Sequence, residues 1–116
     1  MKKFLAVFTG TPAGRAEWKK LDEATRKKRE KEGMAAWQKW GETHHKFIKD
    51  HGSPLGKTKR IDRRGISDMK NELCAFTVVE TETHEEAVKL FLDHPHFSIF
   101  PGDHIEIMEC LPTPGM

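Results

Sequence analysis

Apolar and polar positions along this chain mark out seven elements. Phe4 to Phe8 is a continuous apolar run bounded by Lys2-Lys3 and Thr9-Gly10-Thr11-Pro12, the length and setting of a strand buried on both faces. Residues 13–33 are rich in Lys, Arg and Glu, and Trp18, Leu21 and Ala24 or Thr25 give only a thin apolar stripe, which predicts a surface helix with Asp22 pairing Arg26. Gly33 should break it. A second helix is then expected to about Asp50, with a stronger stripe of Met34, Trp37, Trp40, His44, Phe47 and Ile48. His51-Gly52-Ser53-Pro54 should end it, with Gly52 in the left-handed cap conformation.

Leu55 to Asp62 reads as a charged strand suited to a sheet edge, and 63–68 as a turn or connector. Leu73 to Val79 is apolar on both faces and should be an inner strand. Thr83 with Glu86 three residues on forms a capping box, so a helix starts there. Ala87, Val88, Phe91 and Leu92 give it one apolar face, and Pro95 stops it after Asp93. Beyond the Pro101-Gly102 turn, residues 103–111 alternate as a closing strand.

The resulting order, β-α-(α)-β-β-α-β, defines an α+β chain with a ferredoxin-like split βαβ unit: a four-stranded antiparallel sheet with its helices on one face. The chain has the length of a single domain, 1–116, with 112–116 a tail. The first and third strands are apolar on both sides, so the uncovered sheet face calls for a partner. A homodimer through that face supplies one, with Phe4 or Phe8 at the contact.

The FLAVFTG strand, the helix with two tryptophans, the passage GSPLGKTKRI, the strand FTVVE followed by Thr83-His84-Glu85-Glu86-Ala87, and the closing EIMECLP together resemble the YCII-related (DGPF) domain family of the dimeric α+β barrel group. That resemblance implies a small cytoplasmic bacterial dimer, in a family where some members look like enzymes with a His and an Asp near the sheet. Some relatives process small chlorinated or lactone-type aromatics. The DGPF motif itself is absent, Arg64-Gly65-Ile66-Ser67 standing in its place. Where the enzyme-like members carry a helix His, this chain has the Trp37–Gly41 neighbourhood, with His44 and His45 a turn later. Where they carry an Asp before Pro, it has His94 before Pro95, with Asp93 one residue earlier.

Charge changes the picture little. Twenty Lys and Arg against 18 Asp and Glu leave a net charge of +2, too small to argue for nucleic acid. The apolar run at 4–8 is shorter than an export signal's core, and no run approaches the roughly 18 apolar residues of a membrane span. The two cysteines, Cys74 and Cys110, fall in predicted strands and read as reduced, buried thiols of a cytoplasmic protein. Six basic and two acidic residues between Leu55 and Lys70, with Lys57, Lys59, Arg60, Arg63 and Arg64 prominent, make a basic rim.

Histidine and carboxylate supply the candidate chemistry. His44, His94, Asp93 and Glu106 are the acid–base candidates, since a histidine beside a carboxylate exchanges protons near neutral pH. Trp37 and Trp40 wall a pocket for an aromatic ligand, or simply pack the core. His94, His96, His104 and Glu106 are the right types for metal ligation, although their spacing matches no ligand signature. No phosphate loop, nucleophile elbow or CxxC is present, and no cofactor is called for. Two functions follow: acid–base chemistry on a small aromatic or lactone-type molecule, or a non-catalytic ligand-binding or regulatory dimer with a basic rim.

Overall fold

The computed structural model describes residues 1–114, so the last two residues of the expected tail, Gly115 and Met116, lie outside the described residues. β1 (Lys2–Thr9) and β5 (Leu73–Thr81) pair antiparallel at the centre of a four-stranded sheet. β2 (Ile48–Pro54) and β6 (Ile105–Glu109) flank them, giving the order β2-β5-β1-β6 with every pairing antiparallel. β3 (Thr58–Asp62) and β4 (Gly65–Met69) form a separate two-stranded hairpin. Helices α2 (Glu23–Thr43), α3 (His84–Lys89) and α4 (Pro95–Ser98) cover one sheet face, and α1 (Pro12–Lys20) precedes them.

The alternation of β1 decides which side chains are enclosed. Phe4, Ala6 and Phe8 face the helices at 0% exposure, joined by Val79 of β5 and by Trp40, Ala87 and Phe91 from the helical layer. Each buried aromatic or large aliphatic side chain contributes on the order of 1.5–3 kcal/mol. Phe4 and Phe8 therefore belong to the intrachain core, and the opposite sheet face is presented by Leu5 and Val7. Register places Leu5 between Val78 and Met108, and Val7 between Phe76 and Glu106. Five apolar side chains thus form one patch on a face that no helix covers.

Helix ends follow the capping rules. Thr83 accepts the Glu86 N–H at 3.1 Å and starts α3 as expected. Asp22 accepts the Thr25 N–H at 2.9 Å and starts α2, and these Thr25 hydrogen bonds hold its carboxyl below the usual range. The Asp22 side chain is thus used on the cap, and Arg26 adds only a minor Coulombic contribution without a direct ion pair.

Three sequence expectations are corrected. The break between the first two helices falls at Leu21-Asp22, whereas Gly33 lies inside α2 and is buried beneath the Phe100 ring. The second helix ends at Thr43, and Ile48–Pro54 is the second strand of the sheet; Gly52 does take a left-handed φ of 71°, but in that strand, against the Phe76 carbonyl. The charged segment at 55–62 and the connector at 63–68 together build the β3–β4 hairpin and contribute no strand to the main sheet. The stripe itself hides the switch, because His44, Phe47 and Ile48 keep helical spacing after the helix has stopped.

Candidate functional site

A cavity of about 680 Å³ opens between α2 and the β2–β5 half of the sheet. Its origin is a mismatch of side-chain size. Opposite Phe8 and Ala6 of β1, strand β5 carries Ala75 and Thr77, so the helix-facing positions filled by phenylalanine on one strand are small on its neighbour. Met34, Trp37 and Trp40 roof the space from α2, and Phe100 closes one side. A cavity of this size accommodates a small organic molecule.

The two tryptophans differ in role. Trp40 is 8% exposed and its indole N–H donates to the Leu90 carbonyl at 2.8 Å, which fixes it as a structural wall. Trp37 is half-buried, with its ring 4.9 Å from Phe8 and 4.3 Å from His94 between centroids. The sequence left core packing and pocket walling open for both; Trp40 belongs to the core with Trp37 packed against it, and both also line the cavity.

His94 and His96 bracket Pro95 at the start of α4, His94 as its N-cap. His94 Nδ1 accepts the His96 backbone N–H at 3.0 Å, so Nε2 carries the hydrogen. That Nε2 is buried without a polar partner, enclosed by the rings of Phe8, Trp37 and Trp40 at 4.8, 4.3 and 4.7 Å. Burial, with the nearby His96 and His44, pushes its pKa down to about 3. His94 is therefore a neutral cap and packing group, and its lone pair is taken by the backbone.

His96 has the opposite arrangement. Its Nε2 pairs with the Thr9 carbonyl at 2.8 Å, and a carbonyl only accepts, so Nε2–H is the donor and Nδ1 holds the lone pair. Thr9 is itself fixed: its carbonyl accepts the Asp103 N–H at 2.9 Å and its hydroxyl donates to the His104 carbonyl at 3.0 Å. Gly102 lies against the His96 ring too closely for any side chain, and its N–H donates to the His96 carbonyl at 3.2 Å. Burial lowers the His96 pKa, opposed by hydrogen bonding to the Thr9 and His104 backbone. His96 is thus a neutral, rigidly held imidazole in the cavity wall.

Polar groups enter from two directions. Arg15 of α1 lies on the Cys74 side, where its guanidinium makes only long contacts, 3.5 Å to the Asn71 carbonyl and 3.8 Å to Cys74 Sγ. No carboxylate pairs with it among the described residues. Glu42, His45 and His51 stand on the other side, the His51 ring packed against Gly41. Sequence reading missed Arg15, His51 and the acid–base reading of His96. His51 was assigned to a helix end, and Arg15 is one cation among many in a charged helix; only the fold turns them inward.

The remaining sequence candidates are dispersed. His44 and Asp93 share a shallower depression with Thr43 and Pro95 on the far side of Trp40. Glu106 lies on the outer sheet face, where His104 bridges Asp103 at 2.6 Å and Glu106 at 2.7 Å. The hydrogen bonds that the His104 ring donates to those carboxylates, Glu106 first, raise its pKa. His94, His96, His104 and Glu106 do not converge: among the described residues no group of three or more His, Cys, Asp or Glu is placed to hold a metal ion. Cys74 is half-buried and Cys110 exposed just beyond β6, both free thiols, which corrects the expectation of two buried ones. No helix of the described residues is long and apolar enough to cross a membrane.

No protein-family model matches the chain, and no curated protein matches it. Among solved structures it is similar to 5-chloro-2-hydroxyhydroquinone dehydrochlorinase from Burkholderia phenoliruptrix, solved in complex with 2,5-dihydroxybenzoquinone. The likeness has a TM-score of 0.54 at 16% identity, covering 91% of this chain and 90% of that one. At that identity it speaks to the fold, an α+β architecture with a four-stranded antiparallel sheet, and leaves the chemistry to the residues present here.

Proposed function

We propose that the protein binds a small aromatic or lactone-type molecule in the cavity beneath Trp37 and acts on it by proton transfer, with His96 as the base. One observation carries this reading: an apolar cavity of about 680 Å³ contains a histidine whose donor nitrogen is tied to the backbone, leaving the other as acceptor. Trp37 and Phe100 line the cavity with aromatic surface suited to a planar ligand, and the unpaired Arg15 favours one that bears or develops negative charge. A quinone-sized ring, as bound by the dehydrochlorinase of similar fold, fits such a space. The family reading, a YCII-related dimeric α+β barrel paired through the Leu5–Val78–Met108 face, accords with that architecture. Two free thiols accord with a reducing, cytoplasmic setting.

A second reading, a non-catalytic binding protein, is favoured by one feature: no carboxylate hydrogen-bonds a histidine within the cavity among the described residues. The test is a library of small phenols, quinones, benzoates and lactones screened by Trp fluorescence and by turnover. Quenching with turnover, both abolished by Trp37→Ala and turnover alone by His96→Gln, supports the enzyme. Quenching without turnover supports the binding protein, and no quenching by any compound refutes both.

A further inference from the structure

The β3–β4 hairpin is an arm without a seat on its own chain. Among the described residues its hydrogen bonds and ion pairs are internal, apart from Asn71 Nδ2 donating to Thr58 Oγ1 at the hairpin's base. Ile61 and Ile66 face each other across the two strands, near the turn, at 78% and 72% exposure. A two-stranded ribbon is marginally stable in water, and a cross-strand isoleucine pair stabilises it far more when a surface covers it. Met69 at the base is also exposed.

Size and charge say what covers it. A compact monomer of 13.3 kDa exposes about 6,450 Å², whereas this chain exposes 8672 Å². Its radius of gyration is 16.1 Å against about 13.4 Å for a compact chain of this length. The surplus, about 2,200 Å², exceeds the roughly 800 Å² that each partner contributes to a standard interface and falls within the range of obligate homodimers. Residues 57–70 hold six basic and two acidic side chains, which leaves fourteen basic and sixteen acidic for the rest of the chain. Lys59 and Arg60 are neutralised within the arm by Asp68 and Asp62, but Arg63 and Arg64 at its turn are not. A positive arm on a negative body is repelled by another arm and attracted by the body of another copy.

We infer that the arm clasps a second copy of this chain, reciprocally about the dimer axis, with Ile61 and Ile66 laid on the partner's body and Arg63 and Arg64 against its acidic groups. This rests on the dimer reading above and adds a contact that the sheet face alone does not supply.

Sedimentation velocity across nanomolar to micromolar concentrations tests it, comparing the wild type, an Ile61→Ser, Ile66→Ser variant, an Arg63→Glu, Arg64→Glu variant, and Val7→Asp on the sheet face. The arm lies outside the core, so far-UV circular dichroism should match the wild type for both arm variants. The expected result is a dimer whose dissociation constant rises at least about tenfold in each arm variant. An unchanged dimer in both arm variants, with Val7→Asp dissociated, overturns the clasp and leaves the sheet-face dimer standing. A dimer loosened by the arm variants but not by Val7→Asp supports the clasp and removes the sheet face. A wild-type monomer, including one that binds anionic vesicles through the arm, overturns both.

Discussion

Gly33 of α2 lies directly beneath the ring of Phe100, inside the distance at which any Cβ could be accommodated without moving that ring. Phe100 is held from its other sides by Trp18 and Trp37, at 6.1 and 6.0 Å between centroids, and it walls the cavity. Gly33→Ala gains about 1 kcal/mol of helix propensity and meets an overpacking cost of about 1–3 kcal/mol. The expected net effect is a loss of about 1 kcal/mol in urea unfolding, together with altered quenching of Trp37 by any cavity ligand. A stability gain of the full propensity value would show that Phe100 is not fixed.

His94 sets an acid limit on the fold. Its pKa of about 3 when folded lies below the ordinary value of 6.5, so the unfolded chain binds the extra proton first as pH falls. The fold keeps full stability above pH 6.5 and loses up to about 1.4 kcal/mol per unit below it, as far as pH 3. His94→Asn preserves an N-cap for α4 and removes the titration. The variant's stability should therefore vary less with pH between 6.5 and 5 than that of the wild type, and NMR should show wild-type His94 neutral, with its hydrogen on Nε2, throughout.

His104 should titrate in the other direction. Glu106 and Asp103 raise its pKa, so the ion pairs stabilise the fold fully below pH 6.5 and fade as pH rises through the raised value. Glu106→Gln should lower the NMR midpoint more than Asp103→Asn. Equal midpoints in all three proteins would mean that the bridge does not form in solution.

The proposed base, His96, is separable from the cavity's aromatic roof. His96→Gln keeps a donor to the Thr9 carbonyl while removing the imidazole lone pair, so ligand affinity should stay within about threefold and any turnover should fall by about 10²–10⁴. Loss of affinity with unchanged turnover would reassign His96 to binding.

The free state of both thiols is directly measurable. Cys74 and Cys110 should both react with a thiol reagent in the unfolded, non-reduced protein, Cys110 reacting first in the native state because it is exposed. Finding no thiol would contradict the free state of both.

Local signals in the sequence determined most of the scaffold. The apolar runs at 4–8 and 73–79, the Thr83–Glu86 capping box and the alternation of 105–109 fixed two central strands, the helix after them and the closing strand, because each depends on neighbours within four residues. Backbone hydrogen-bonding order and side-chain period are enough for that. Tertiary structure decided the rest. Gly33 looks like a helix breaker until Phe100, 67 residues away, is seen to need its missing side chain. His96 looks like any histidine beside a proline until the Thr9 carbonyl selects its tautomer, and His94 looks catalytic until three aromatic rings enclose it. Those properties arise from contacts between distant segments, where burial and a single long-range hydrogen bond set protonation and access, and no local periodicity records which distant group will arrive.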